Sequence, residues 1–308
     1  MDERYQQLGA DLGGVRATWA ARTAGLTEDD VRGRLRRGEW QELRRGTYAD
    51  GGVVPDAFMR ASSAVHAACT TRRIAIAAGR TAARMWGIPL VDDHDPATKR
   101  CEETHDDVAL TFGQTTSPSL HSRQLILAAE DVCLLRGIPT LSLERTVVDL
   151  ADVLHPDAHV CALDHVLHHE WLSRAQLEGL AAGRAGWPGI VAFRTALSLT
   201  DALAESPHET LTRLVLKPVL PGLRSQVTVV DRKMELLARL DLGDESLRLG
   251  VESDGSAYHR GRAAADRKRD FKTGWTIERC SWFETRCQQD ELRARVLATA
   301  AKLRRKAG

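Results

Sequence analysis

The apolar and polar positions of the first fifty residues predict two short helices followed by a hairpin. Residues 15–24 suit a helix that stops at Gly25, and Thr27 is a good N-cap for a second helix with an acidic first turn. Two strand-like runs then enclose a basic turn: residues 40–43, Arg44-Arg45-Gly46 and residues 47–49. The pattern therefore predicts a winged-helix unit over residues 1–52, whose second helix and wing could dock on DNA.

The middle of the chain, residues 53–203, has a less regular pattern and is expected to form an α+β domain. Its small and apolar residues predict one long helix over residues 58–87, and an amphipathic helix is predicted over residues 143–154. Short apolar runs predict strands at residues 108–112, 125–127 and 132–135.

The last part of the chain, residues 204–308, has the pattern of a helix followed by a sheet. The helix begins near Ser206, and three strand-like runs follow at residues 227–230, 235–242 and 247–252. Two antiparallel strands would bring Asp241 and Glu252 close together, and Asp254 can point to the side of Glu252 if its strand continues. Because a buried, unpaired carboxylate is costly, such residues usually coordinate a metal ion or pair with a cation.

Composition adds an uneven distribution of charge. The formal net charge is only +1, but residues 255–308 carry 14 Lys and Arg against 6 Asp and Glu, and residues 32–45 carry six Arg against two Glu. Basic patches at both ends favour a polyanion partner such as DNA, although a solvated helical face has the same composition. The candidate DNA contacts are Arg32, Arg36, Arg37, Arg44, Arg45, Arg260, Arg262 and Arg269.

Two classes of protein are disfavoured by composition. The six cysteines form no CxxC pair and lack the spacing of a structural zinc site or a disulfide framework. No apolar run approaches the roughly 18 residues that a membrane helix needs, and residues 1–7 lack the apolar stretch of a signal peptide. A cytoplasmic protein with no membrane partner is therefore expected.

Acidic residues beside basic ones suit a phosphodiester substrate. Mg²⁺ binds carboxylate oxygens and contacts phosphates directly, and Mn²⁺ is the alternative ion. The candidate metal ligands are therefore Asp241, Glu252 and Asp254. His259 follows a few residues later and is a candidate general base. On spacing alone, carboxylates at strand ends are common and do not establish catalysis.

The order of several motifs is more specific than any one of them. They are Leu240-Asp241-Leu242, Val251-Glu252-Ser253-Asp254-Gly255, Tyr258-His259, Asp266-Arg267-Lys268-Arg269-Asp270 and Gly274-Trp275-Thr276-Ile277-Glu278-Arg279. This order resembles the endonuclease domains related to very-short-patch repair endonuclease, over about residues 205–300. The resemblance implies the PD-(D/E)XK, or restriction-endonuclease-like, α/β/α fold with a mixed sheet. It also implies a metal site at Asp241, Glu252 and Asp254, and a catalytic role for His259.

Three features qualify this resemblance. The family's helix-start glutamate corresponds to Glu209, which also stands three residues after Ser206 as in a capping box, so a capping and a catalytic interpretation compete there. Asp254 occupies the position where the general fold signature has a lysine. The zinc-binding cysteines and histidines of the very-short-patch enzymes are not apparent either, so the resemblance does not extend to mismatch specificity.

The N-terminal part resembles the winged-helix domain of AbiEi-type antitoxins. The residues that carry this resemblance are Gly25-Leu26-Thr27, Arg36-Arg37-Gly38-Glu39-Trp40 and Arg45-Gly46-Thr47-Tyr48. The whole chain is thus expected to be a multidomain α/β protein and a DNA-binding, magnesium-dependent endonuclease. The alternative is an antitoxin-like transcriptional regulator with an inactive nuclease fold, and RNA is not excluded as a substrate. Besides DNA, the candidate partners are a second copy in a homodimer and a toxin or methyltransferase.

Overall fold

The computed structural model of the chain describes residues 13–70, 73–97, 105–114, 120–231, 233–254 and 274–307. These residues form a mixed α/β protein with three sheets. They fall into two compact units, made of the described parts of the following ranges: Met1–Leu90, Glu103–Val153 and Gly186–Ile190 for the first, and Val91–Glu102, Leu154–Ala185 and Val191–Gly308 for the second. The three-segment division expected from the sequence stays a prediction.

The N-terminal elements of the first unit are two helices and a small sheet. They are β1 (Arg16–Ala17), α1 (Thr18–Thr23), α2 (Glu28–Arg36), β2 (Trp40–Arg44) and β3 (Thr47–Asp50), with strand order β1-β3-β2. The predicted cap is confirmed, because Asp30 N–H donates to Thr27 Oγ1 over 3.2 Å while Thr27 N–H donates to the Asp30 carboxylate over 2.9 Å. The predicted hairpin is confirmed as well. The first predicted helix is shorter than expected, because Arg16 and Ala17 pair with β3.

The remainder of the first unit is a five-stranded sheet with helices. Its elements are α3 (Ala57–Ala68), β4 (Ala75–Ala78), α4 (Gly79–Trp86), β5 (Asp106–Leu110), β6 (Leu120–Arg123), β7 (Val132–Leu135), β8 (Ile138–Leu141) and α5 (Leu143–Asp149), with strand order β6-β5-β4-β8-β7. The predicted helix over residues 58–87 is wrong between α3 and α4. There, four buried residues form the central strand β4, because pairing with β5 and β8 overrides the helix propensity of alanine. The predicted strand at residues 125–127 is wrong too, and the strand in that region is β6.

The second unit contains helices and a four-stranded mixed sheet. Its elements are α6 (Pro156–His168), α7 (Arg174–Gly183), α8 (Ile190–Ser198), α9 (Pro207–Leu216), β9 (Arg224–Val230), β10 (Leu236–Asp244), β11 (Leu249–Asp254), β12 (Thr276–Ser281), α10 (Trp282–Cys287) and α11 (Gln289–Ala307). The strand order is β12-β11-β10-β9, in which β9, β10 and β11 are antiparallel and β12 runs parallel to β11. The three strands predicted from residue 227 to residue 252 are confirmed.

One apolar core joins this sheet to α9 and α11. Leu242 of β10 and Val251 of β11 pack with Leu216 of α9 and with Leu292 and Val296 of α11, all at most 1% exposed. Each such side chain contributes about 1.5–3 kcal/mol by leaving water, so the core fixes the strands that carry the candidate carboxylates. None of the helices in the described ranges has both the length and the apolarity that crossing a membrane requires.

Candidate functional site

Asp241 and Glu252 lie on neighbouring antiparallel strands. Leu242 is the register partner of Val251, and Asp241 and Glu252 are the next residues on their strands. Asp241 Oδ2 accepts the backbone N–H of Ser253, the residue after Glu252, over 2.7 Å. The structure therefore brings together the two carboxylates that the sequence placed at strand ends.

The ladder continues on both sides of this pair. On β9, Gln226 lies between Val227 and Ser225, which pair with Leu240 and Leu242 on either side of Asp241. On β12, Arg279 is the register partner of Glu252. We call the four residues Gln226, Asp241, Glu252 and Arg279 the polar row, because they lie at neighbouring positions of the four strands.

Glycine makes room for neighbours next to the polar row. Gly243 and Gly250 are register partners directly beyond Leu242 and Val251. A Cβ atom at Gly250 would lie 2.7 Å from Ile277 Cδ1, and one at Gly243 would lie 2.9 Å from Val227 Cβ. Larger residues at these two positions would therefore push apart the strands that hold Asp241 and Glu252.

The two central carboxylates have partners within the sheet. Asp241 Oδ2 accepts the backbone N–H of Ser253 over 2.7 Å. Glu252 Oε2 lies 3.3 Å from Arg279 Nη2, and the side chains of this ion pair are 14% and 29% exposed respectively. Both carboxylates are thus held in place at the edge of solvent, and neither is an isolated charge.

Glu209 reaches the polar row from helix α9. Ser206 caps this helix, with its Oγ accepting Glu209 N–H over 3.2 Å, and Pro207 is the first helical residue. The Glu209 carboxylate accepts from Ser206 Oγ over 2.8 Å and from Glu205 N–H over 3.0 Å. It also accepts from Gln226 Nε2 over 2.8 Å. The predicted Ser206 cap is confirmed, and the last bond ties the buried carboxylate to the polar row.

The remaining predicted site residues divide into two groups. Asp254 ends β11 two residues after Glu252, so the strand does continue as required, and its backbone partner on β12 is Ser281. His259, Arg260, Arg262 and Arg269 lie outside the described residues.

The N-terminal arginines differ in their surroundings. Arg36 on α2 and Arg45 in the hairpin turn are exposed. Arg32 and Arg37 are exposed too but pair with acidic neighbours: Arg32 lies 3.5 Å from Asp29, and Arg37 Nε donates to Glu39 over 2.6 Å. Arg44 is half-buried and forms an ion pair with Asp106 of β5, which makes it a structural contact of this unit.

Sequence reasoning did not identify several polar residues that the structure brings together. Gln226 and Arg279 became visible as neighbours of the carboxylates only once the register was known. A second group, His105, Asp107 and His121, was not recognised at all, and its ligand atoms lie within 4.8 Å of one another. The available signal was the spacing of His105 and Asp107, which are two residues apart as on one face of a strand. Their partner His121 lies fourteen residues beyond Asp107, on another strand.

Comparison with known proteins gives limited similarity. No protein-family model matches the chain. Two curated proteins of Mycobacterium tuberculosis, described as uncharacterized protein MT2308 in strain CDC 1551 / Oshkosh and uncharacterized protein Rv2248 in strain ATCC 25618 / H37Rv, are each 31% identical over 157 residues. The aligned part is 49% of this chain and 58% of either relative, so the chain spans little more than half the length of these relatives.

Proposed function

We propose that this protein is a DNA-binding, metal-dependent endonuclease with its site at the polar row. The observation that carries the proposal is the 2.7 Å hydrogen bond from Ser253 N–H to Asp241 Oδ2, which holds the Asp241 carboxylate against β11 beside Glu252. Glu209 is bonded to the same row through Gln226, so a third carboxylate from a different element joins the pair. The order of elements, a helix followed by three antiparallel strands and a parallel fourth, supports the restriction-endonuclease-like fold that the motifs implied.

The donor chemistry of the site fits a hard divalent cation. Glu209, Asp241 and Glu252 are buried or half-buried carboxylates, and Arg279 pairs with Glu252, so the acidic groups outnumber the guanidinium and offer oxygen ligands. Asp241, Glu252 and Asp254 would hold Mg²⁺ or Mn²⁺. When bound, such an ion lowers the pKa of a water molecule and stabilises negative charge on a phosphate.

The protein's own groups orient these carboxylates. The Ser253 N–H fixes one oxygen of Asp241, and Arg279 holds Glu252 from the neighbouring strand. Ser206, Glu205 and Gln226 together fix both oxygens of Glu209, which favours a positioning role for this residue. Hydrogen bonds of this kind keep ligands in one geometry and reduce the reorganisation that binding requires.

The N-terminal elements support DNA docking by a winged helix. Helix α2 follows a short turn after α1, and the β2–β3 hairpin carries the exposed Arg45. Arg36 and Arg45 are the strongest candidates for phosphate contacts, because Arg44 is held by Asp106. The acidic start of α2, Glu28 to Asp30, disfavours deep insertion of that end into a groove, since phosphates repel it.

One observation favours the alternative, a DNA-binding regulator with an inactive nuclease fold. The Glu252–Arg279 ion pair and the Asp241 bond to Ser253 N–H satisfy both carboxylates in part without any metal ion. A buried carboxylate that is already paired does not need a cation for stability. A cleavage assay therefore distinguishes the endonuclease from the regulator, whereas a measurement of folding does not.

The test is cleavage by the purified full chain with Mg²⁺ or Mn²⁺. Supercoiled plasmid, linear duplex, single-stranded DNA and RNA serve as substrates, and Asp241→Asn and Glu252→Gln are the site variants. Glu245→Gln, an exposed residue in the turn of the same hairpin, is the matched control. We expect the control to cut like the wild type and both site variants to fail. If the wild type cuts nothing with either metal while still binding DNA, the regulator is the correct alternative.

A further inference from the structure

A second polar cluster lies on the five-stranded sheet of the first unit. Strands β5 and β6 are parallel there, and Asp107 is the register partner of His121. His105 stands two residues before Asp107, at the entrance to β5, and alternation along a strand puts these two side chains on one face. Three side chains from two neighbouring strands thus meet at the same edge.

The distances within this cluster suit a shared ion better than hydrogen bonds. Asp107 Oδ1 lies 3.8 Å from His105 Nε2 and 3.9 Å from His121 Nδ1, both too long for a hydrogen bond. One ligand atom from each residue lies within 4.8 Å of the others. Ligand atoms of a tetrahedral zinc site lie roughly 3.3–3.5 Å apart, so small movements of the side chains would complete the geometry.

The surroundings hold the carboxylate in place. Asp107 is 2% exposed, and its Oδ2 accepts the backbone N–H of Arg80 over 2.9 Å, which directs Oδ1 towards the histidines. Gly79 permits this close approach, because a Cβ atom there would lie 2.6 Å from Asp107 Oδ2. The fixed carboxylate is the anchor of the cluster, and the exposed His121 can adjust around it.

We propose that His105, Asp107 and His121 form a binding site for a divalent transition metal ion, with Zn²⁺ as the preferred occupant. Two imidazole nitrogens and one carboxylate oxygen match zinc, whereas Mg²⁺ requires oxygen ligands. Three protein ligands leave a coordination position for water or another small ligand. This site is separate from the polar row and does not depend on nuclease activity.

Charged neighbours set the conditions for binding. Burial lowers the pKa of His105, Asp107 opposes this, and Arg80, His121 and Arg84 lower it further. Arg80 Nη1 lies 3.0 Å from His105 Nε2, an arrangement in which the guanidinium donates. A metal ion at Nε2 must replace this bond, and Arg80 would have to turn away.

The test is Zn²⁺ binding by the chelator-treated full chain, measured by calorimetry and metal analysis. His121→Ala is the principal variant, because this side chain is 58% exposed and its removal leaves the core intact. Asp107→Asn keeps the shape of the buried anchor and removes its charge. The controls are His169→Ala, an exposed histidine beside His165 and His168 on α6, and Asp241→Asn in the polar row.

We expect one Zn²⁺ per wild-type chain and an affinity lower by roughly tenfold or more in His121→Ala and Asp107→Asn. Circular dichroism without metal establishes that each variant is folded, and His121→Ala suffices if Asp107→Asn unfolds. Equal affinity in wild type and His121→Ala would overturn the proposal. Loss of the Zn²⁺ site in either control variant would overturn it too, by assigning the ion to the histidines of α6 or to the polar row.

Discussion

The polar row and the His105–Asp107–His121 cluster use the same construction for different chemistry. Each depends on how neighbouring strands are aligned, which holds Asp241 against Ser253 beside Glu252 in one and pairs Asp107 with His121 in the other. The polar row offers carboxylate oxygens on antiparallel strands, and the cluster offers imidazole nitrogens around one buried carboxylate on parallel strands. Register decides which side chains meet, and the donor atoms then decide which ion the site prefers.

The two sites also differ in how their carboxylates are held. In the polar row Glu252 faces a guanidinium across the ladder, whereas Asp107, like Asp241, is held by a backbone N–H. An arginine competes with a cation for the carboxylate, while an N–H leaves the second oxygen to a ligand. The polar row is therefore tested by measuring nucleic-acid cleavage. The His105–Asp107–His121 cluster is tested by measuring Zn²⁺ binding.

The largest expected effect is the loss of metal-dependent cleavage when the polar row is altered. Mg²⁺ or Mn²⁺ should support cleavage by the wild type, and Asp241→Asn should reduce the cleavage rate by about a thousandfold, since a bound ion supplies several kcal/mol and each ~1.4 kcal/mol is tenfold. Rates come from the conversion of supercoiled plasmid, with Glu245→Gln alongside. A rate within threefold of wild type in Asp241→Asn would remove this residue from the site.

The next effect concerns the core beneath the polar row. Leu242→Ala should lower the free energy of unfolding by about 2–5 kcal/mol, because Leu242 is fully buried against α9 and α11. Leu236→Ala, on the same strand but 68% exposed, is the matched control and should stay within about 0.5 kcal/mol of wild type. Urea unfolding measures both. Equal losses in the two variants would contradict the described packing of β10.

Two buried groups, one in each unit, are expected to respond to acid in opposite ways. Burial lowers the pKa of His66 in the first unit from 6.5 to about 4, so its contribution to stability is lost as pH falls through that range. In the second unit, burial raises the pKa of Asp164 from 3.8 to about 6 against the opposing effects of Arg213, the Asp201 N–H and Thr210. The folded state then binds the proton more tightly than the unfolded state, and the contribution of Asp164 rises as pH falls from about 6 to 3.8.

Denaturation of His66→Leu and Asp164→Asn across pH 4–6.5 measures these two contributions. Relative to wild type, His66→Leu should lose less stability on acidification, and Asp164→Asn should lose more. Slopes parallel to wild type in both variants would show that neither group titrates as its burial implies.

The smallest expected effect concerns DNA docking by the first unit. Removing Arg36 and Arg45 together should weaken DNA binding and reduce the slope of log affinity against log salt concentration by about 2. The double variant Arg224→Ala/Arg248→Ala removes the same charge from exposed positions of the second unit and serves as the control. An identical salt slope in wild type and the Arg36/Arg45 variant would refute docking through α2 and the hairpin turn.

The sequence predicted local structure well where the signal is local. The caps at Thr27 and Ser206 and the β10–β11 hairpin follow from side chains a few residues apart, and each is confirmed. Residues 75–78 misled the prediction, because three alanines and an isoleucine favour a helix in isolation. Their place between β5 and β8 makes them a strand, and that place is set by residues far away in the sequence.

What the sequence determined by itself was the order of elements in the C-terminal part and the identity of its carboxylates. The tertiary structure alone decided what those carboxylates meet. It set Glu252 against Arg279, bonded Glu209 to Gln226, and paired Arg44 with Asp106. It also joined His105 and Asp107 to His121. The physical reason is that spacing along a chain fixes periodicity, whereas the register between strands is fixed by the packing of entire apolar faces.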